Sequence, residues 1–125
     1  MRHALLLAGF LVAGMTPASA ATIENFQVRT AADLVDLCDT DPSSVHYIAA
    51  IHFCQGFGIG AYQYYAAQVT EDPSTRFVCI PNPPPTRNEA MAAFVGLARA
   101  HPEYMNDAPV DTLFRYLGQT YPCSR

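Results

Sequence analysis

The residues best equipped for chemistry are four cysteines (Cys38, Cys54, Cys79 and Cys123), the histidines His46, His52 and His101, and the acids Asp33, Asp36, Asp39 and Asp41. A cysteine nucleophile needs a free thiol with a base in hydrogen-bond reach. His52 lies two residues from Cys54, and on a helix that spacing turns the two side chains to different sides. A zinc site would need closely spaced ligand pairs, but the chain has no C-x-x-C and its cysteine spacings are wide and irregular. The histidines are not at ligand spacing with the acids or with each other. The acids lack the glycine and closing glutamate of a calcium loop. Gly56-x-Gly58-x-Gly60 lacks the Lys-Ser/Thr that completes a phosphate loop. No nucleophile, base and oxyanion site assembles from this set, so the sequence predicts a protein that is not an enzyme, with no metal and no cofactor.

The other chemistry open to four cysteines is oxidation in pairs, which belongs to exported chains. The N-terminus agrees. Met1-Arg2-His3 is basic, Ala4 to Met15 is uncharged, and Thr16-Pro17-Ala18-Ser19-Ala20 ends in small residues. This predicts a signal peptide over 1–20, cleaved between Ala20 and Ala21, and a mature domain over 21–125 in the periplasm. The apolar run falls short of the roughly 18 residues a membrane span needs, and no lipid-bearing cysteine follows it. The mature chain is therefore expected to have no stable membrane insertion. A net charge of −4 argues against nucleic acid as a partner.

The elements that must hold these residues read as helices. Ala21 to Arg29 is an extended lead-in with Ile23, Phe26 and Val28 available to pack. Thr30 caps a short first helix, with Asp33 at its acidic third position and Leu34, Val35, Leu37 and Cys38 inward. Asp41-Pro42 breaks the chain, and Ser43 or Ser44 is expected to cap a long second helix over about Val45 to Val69. Its apolar residues recur at three- and four-residue steps. Gly56, Gly58 and Gly60 are costly there; close approach of another helix, or a kink, would explain them, and the competing view is a bare backbone patch where a partner can come near. Glu71 to Pro85 is a proline-rich connector pinned by Cys79. Thr86 and Glu89 form a capping box for a third helix that ends at His101-Pro102. Asn106 or Asp107 is expected to cap a fourth, with Pro109 in its first turn and Gly118 as its stop. The fold class is all-α: a small bundle of about four helices cross-linked by two disulfides.

Four cysteines allow three pairings, and spacing does not choose among them. Helix three begins just after Cys79 and helix four ends just before Cys123, which favours Cys79–Cys123 and leaves Cys38–Cys54. Cys54–Cys79 with Cys38–Cys123 is nearly as easy if the connector folds back along helix two. On that helix Tyr62, Gln63, Tyr64, Tyr65 and Gln68 stand out, because three tyrosines within four positions cannot all face one core. Tyrosine suits interfaces through its large rigid contact and polar tip. These five are the candidate partner-binding residues, with Tyr62 and Tyr65 as core edges and Tyr64 outward as the competing view.

The ordered set Thr30-Ala31-Ala32-Asp33-Leu34, Cys54-Gln55-Gly56-Phe57 with Gly60, Phe77-Val78-Cys79-Ile80-Pro81, His101-Pro102-Glu103 and Tyr121-Pro122-Cys123 resembles the Rap1a/Tai immunity proteins of type VI secretion. The resemblance runs from about Phe26 to Cys123. It implies a small periplasmic helical protein that binds and occludes a peptidoglycan amidase effector, and it makes a homodimer reasonable. Members often carry an acid shortly after the Gly-x-x-x-Gly segment, where this chain has Ala61-Tyr62-Gln63-Tyr64-Tyr65. If that acid contacts a partner, this chain recognises something different. The expected function is therefore a periplasmic protein-binding domain of immunity type. A periplasmic chaperone or stress protein, or a subunit of an envelope complex, is the alternative.

Overall fold

The computed structural model describes residues 20–124, so the predicted signal peptide lies outside the described residues apart from its last position. Four α-helices follow one another: α1 (Ala31–Cys38), α2 (Tyr47–Glu71), α3 (Arg87–Ala100) and α4 (Pro109–Thr120). Single 3-10 turns sit at Ile23–Gln27, Pro73–Thr75 and Pro102–Tyr104. Among the described residues no strand forms beyond one isolated antiparallel bridge between Val78 and Pro122. The fold is all-α, as the periodicity indicated.

Although α1 is the shortest helix, it touches the other three. Five of its eight residues are buried, including Leu34, Val35 and Leu37. Its ends explain how so short a helix persists. The Thr30 hydroxyl accepts from the Asp33 N–H, and the Asp33 carboxylate accepts from the N–H groups of Arg29 and Thr30. The N–H groups of Ala31 and Ala32 donate to Asp107 and Met105 carbonyls at 2.9 and 3.0 Å, fixing α1 against the loop before α4. At the other end the buried Thr40 hydroxyl donates to the Asp36 carbonyl at 2.7 Å. The main core lies where α1, α3 and α4 meet, around Leu34, Val35, Phe94, Ala98, Leu113, Tyr116 and Leu117. A smaller cluster of Ala21, Leu37 and Ala50 lies beside it. Val28 bridges the two with φ 44°, a left-handed conformation unusual for a β-branched residue, held by packing on both sides.

The disulfides are Cys38–Cys54, which ties α1 to α2, and Cys79–Cys123, which ties the connector to the C-terminal tail. With separations of 16 and 44 residues, the chain-entropy model gives about 3 and about 4 kcal/mol. The connector is held further by Tyr65, whose hydroxyl oxygen accepts from the N–H groups of Phe77 and Val78 at 2.8 and 2.9 Å. The Cys79 N–H donates to the Tyr121 carbonyl at 2.8 Å.

Several local expectations give way. The N-cap of α2 is His46, and the Ser44 hydroxyl accepts from the His46 N–H without capping the helix itself. Ala108 stands at the N-cap of α4, with no side-chain cap from Asn106 or Asp107, because the missing N–H of Pro109 already reduces the need for one. Gly118 does not stop α4, which continues to Thr120; a Cβ there would come within 3.2 Å of the Phe77 ring. Ile23 does not pack but stands 65% exposed. No neighbouring helix approaches Gly56, Gly58 or Gly60, since an added Cβ would meet nothing within 4 Å at any of them.

Candidate functional site

Two kinds of side chain are absent from most of α2: buried ones and charged ones. The helix runs for 25 residues, yet only Ala50, Cys54 and Val69 are buried. From Tyr47 to Thr70 it carries no Asp, Glu, Lys or Arg; its single acid is Glu71, at the last position. An ordinary surface helix shows an apolar stripe backed by a charged face. Here the outward face is made of Ile48, Ala49, His52, Phe53, Gly56, Gly60, Gln63, Tyr64, Ala67 and Gln68, all exposed. Gly56 and Gly60 fall one turn apart on this face, where the backbone is bare and no fold contact demands glycine.

The face has two ends of different character. Towards the N-terminus of α2 it is apolar: Val45 and Ile48 are 92% and 66% exposed. Phe53 there meets Phe26 edge-on at 5.7 Å between ring centres, and Phe26 also meets His46. Towards the C-terminus it is amide and aromatic. Tyr64 stands 70% exposed between the exposed Gln63 and Gln68.

The five candidate residues thus divide. Gln63, Tyr64 and Gln68 lie together on the outward face. Tyr62 is half-buried against the core edge and stacks towards Tyr65 at 6.0 Å. Tyr65 is turned to Phe77 and Phe114 at 5.1 and 5.3 Å, with its hydroxyl committed to the connector. Missed by the sequence reading were Ile48, which the apolar periodicity groups with Cys54, and Phe53; Gly56 and Gly60 lie on the same surface as bare backbone, the second of the two explanations offered for them. The signal was available: a helical projection of α2 has no charged face.

The titratable residues singled out from the sequence do other work. His101 stacks on Tyr104 at 4.7 Å and contacts Glu103, while the Arg115 guanidinium lies over the same Tyr104 ring. Asp39 pairs with Arg99. Asp36 is partly buried, and that desolvation raises its carboxyl above the usual carboxylate range against the opposing pull of Arg99. No group of three or more His, Cys, Asp or Glu among the described residues could hold a metal. Among them also, no helix is long and apolar enough to cross a membrane.

A weakly charged helical face with aromatic and amide side chains, mounted on a cross-linked core, can bind a macromolecular surface without offering reactive groups. Compared with known proteins, the chain matches the family model described as Rap1a immunity proteins over residues 30–123. No curated protein and no solved structure matches it.

Proposed function

The chain belongs to the Rap1a immunity protein family, and from that premise we propose that it is a periplasmic inhibitor that occludes a type VI secreted peptidoglycan amidase. The observation that carries this reading is the uncharged outward face of α2, with Gln63, Tyr64 and Gln68 at its C-terminal end. An inhibitor of this kind needs no cofactor and no catalytic group. It needs a rigid surface with a few aromatic anchors, and the disulfides and the short central α1 supply the rigidity. The two disulfides suit an oxidising compartment.

The more apolar end of the same face, at Val45, Ile48 and Phe53, suits self-association, because homodimer interfaces are the more apolar class. The chain then forms a homodimer through that end and leaves the Tyr64 end for the effector. Sedimentation of the mature chain checks this: a dimer that Ile48→Glu converts to monomer supports it, and a monomeric wild type removes it.

The test of function is affinity capture by the mature, oxidised protein from its own periplasm and from the products of neighbouring genes, with Tyr64→Ala alongside. Capture of a peptidoglycan hydrolase at nanomolar strength, weakened by the substitution, supports inhibition. Retention of no hydrolase, with no gain in tolerance to a co-encoded cell-wall toxin, rejects it.

A further inference from the structure

The inner side of α2, the proline-rich connector and the first turns of α3 line a half-open cavity of about 460 Å³, of whose lining the partner reading uses only Gln63. That size falls within the range of small-molecule sites. Its floor is the core itself, with Leu34, Phe94 and Leu117 beside the Cys38–Cys54 bridge, and Phe57 and Met91 add to its apolar walls. Polar residues in the lining are few, chiefly Gln55, Gln63, Thr86 and the tyrosines Tyr62, Tyr116 and Tyr121.

Charge decides what such a cavity would take. The chain has a net charge of −4, yet among the described residues Arg87 is the only charged one lining the cavity. Among the described residues no carboxylate pairs with Arg87. The nearby Glu89 has its carboxylate committed to the N–H and hydroxyl of Thr86, both at 2.8 Å. Gly58 also lines the cavity, and its missing side chain leaves open space that the fold does not require.

We propose that this cavity binds a single-chain amphiphile with a carboxylate head, a free fatty acid of medium length, with its hydrocarbon in the cavity and its carboxylate on Arg87. A volume of this order lies in the range of sites that hold small organic ligands, and laurate is a ligand of that class. An apolar chain would restore dispersion contacts that the lining atoms lack on their open side. The guanidinium would hold the head group in a bidentate pair.

The proposal stands apart from the partner reading, and its test uses the purified chain alone. Laurate is titrated into the mature, oxidised protein below its micelle concentration, followed by backbone amide NMR. Dodecyltrimethylammonium and dodecyl maltoside serve as controls of equal chain length. The expected result is one saturable laurate site with shifts at Gly58, Ile80 and Met91, weakened about tenfold by Arg87→Gln. Gly58→Leu, which adds bulk at a cavity-lining position where a Cβ meets nothing within 4 Å, is expected to abolish binding while the melting temperature holds; Tyr64→Ala is expected to leave it unchanged. Absence of saturable binding, equal binding of all three head groups, shifts elsewhere, or undiminished binding in Gly58→Leu would each overturn the proposal.

Discussion

The part of the molecule built from α1, α3 and α4 and the part built from α2 obey different rules. In the first, the apolar residues are spent on the core: α1 buries five of eight residues, and α4 buries Leu113, Tyr116 and Leu117 under a polar outer face. In the second, a helix twice as long as α4 buries three residues and leaves Ile48, Phe53 and Tyr64 in the open. Even the glycines differ. Gly118 on α4 gives room to the Phe77 ring, whereas Gly56, Gly58 and Gly60 on α2 give room to nothing within the chain. Where a residue costs stability and the fold does not ask for it, the reason is sought in what the surface meets.

The largest expected contrast is between two phenylalanines. Phe94→Ala removes a ring that is 2% exposed between α1 and α4 and should cost about 3–5 kcal/mol in chemical denaturation. Phe53→Ala, on the exposed face, should cost only about 1 kcal/mol, chiefly its edge-on contact with Phe26. Comparable losses at both sites would break the distinction.

Tyr65 tests the boundary between the two parts. Tyr65→Phe keeps the ring against Phe77 and Phe114 but deprives two backbone N–H groups of their acceptor. A loss of about 1–2 kcal/mol is expected, together with faster amide exchange at Phe77 and Val78. No change in either would mean that the connector is held by Cys79–Cys123 alone.

The exposed glycines should respond in the opposite sense. Gly56→Ala and Gly60→Ala should each stabilise the free protein by up to about 1 kcal/mol, because alanine is the better helix former and its methyl meets nothing. A destabilisation would show that the fold itself needs these glycines, and the comparison would lose its sharpest support.

The smallest effect concerns pH. Burial raises Asp36 above the usual carboxylate range, with Asp33 and Asp39 adding to the shift and Arg99 opposing it. Its charged form is therefore disfavoured in the fold. Its contribution to stability is fully present below the unfolded pKa and is lost as pH rises through the raised folded value. Asp36→Asn should accordingly raise the melting temperature at pH 7, with the gain vanishing below pH 3. Asp41, Asp72 and Glu89, lowered by hydrogen bonds from Ser43, Ser74 and Thr86, act in the reverse direction in both variants and cancel from the difference.

How much of this was legible in the sequence follows the same division. The capping boxes at Thr30 and Thr86, the helix-breaking prolines and the inward stripes of α1, α3 and α4 are local patterns, and the structure contains them, except that Val110, inward on α4 by spacing, is exposed in the first turn. The cysteine pairing depended on which chain ends come together, and the hairpin of α3 and α4 brings Cys79 to Cys123. The glycines of α2 allowed two readings, and the close-approach one fails, because spacing reports that a side chain is missing without reporting whether anything occupies the space. The caps of α2 and α4 were misplaced because several Ser, Asn and Asp residues stand near each start, and only the backbone path decides which is used. The cavity was invisible for a further reason: it is bounded by residues from 34 to 121 that no local pattern connects.

The account rests most heavily on the outward face of α2 being a binding surface, and one measurement addresses that directly. The affinity of the mature, oxidised protein for the peptidoglycan hydrolase that it captures would be measured by calorimetry for the wild type and for Gly60→Leu. The substitution adds bulk to the centre of the face, at a position where a Cβ meets nothing within 4 Å. The account predicts a loss of at least about tenfold in affinity, or 1.4 kcal/mol, with an unchanged or higher melting temperature. Undiminished affinity in a fully folded variant would contradict it and move the interface off α2.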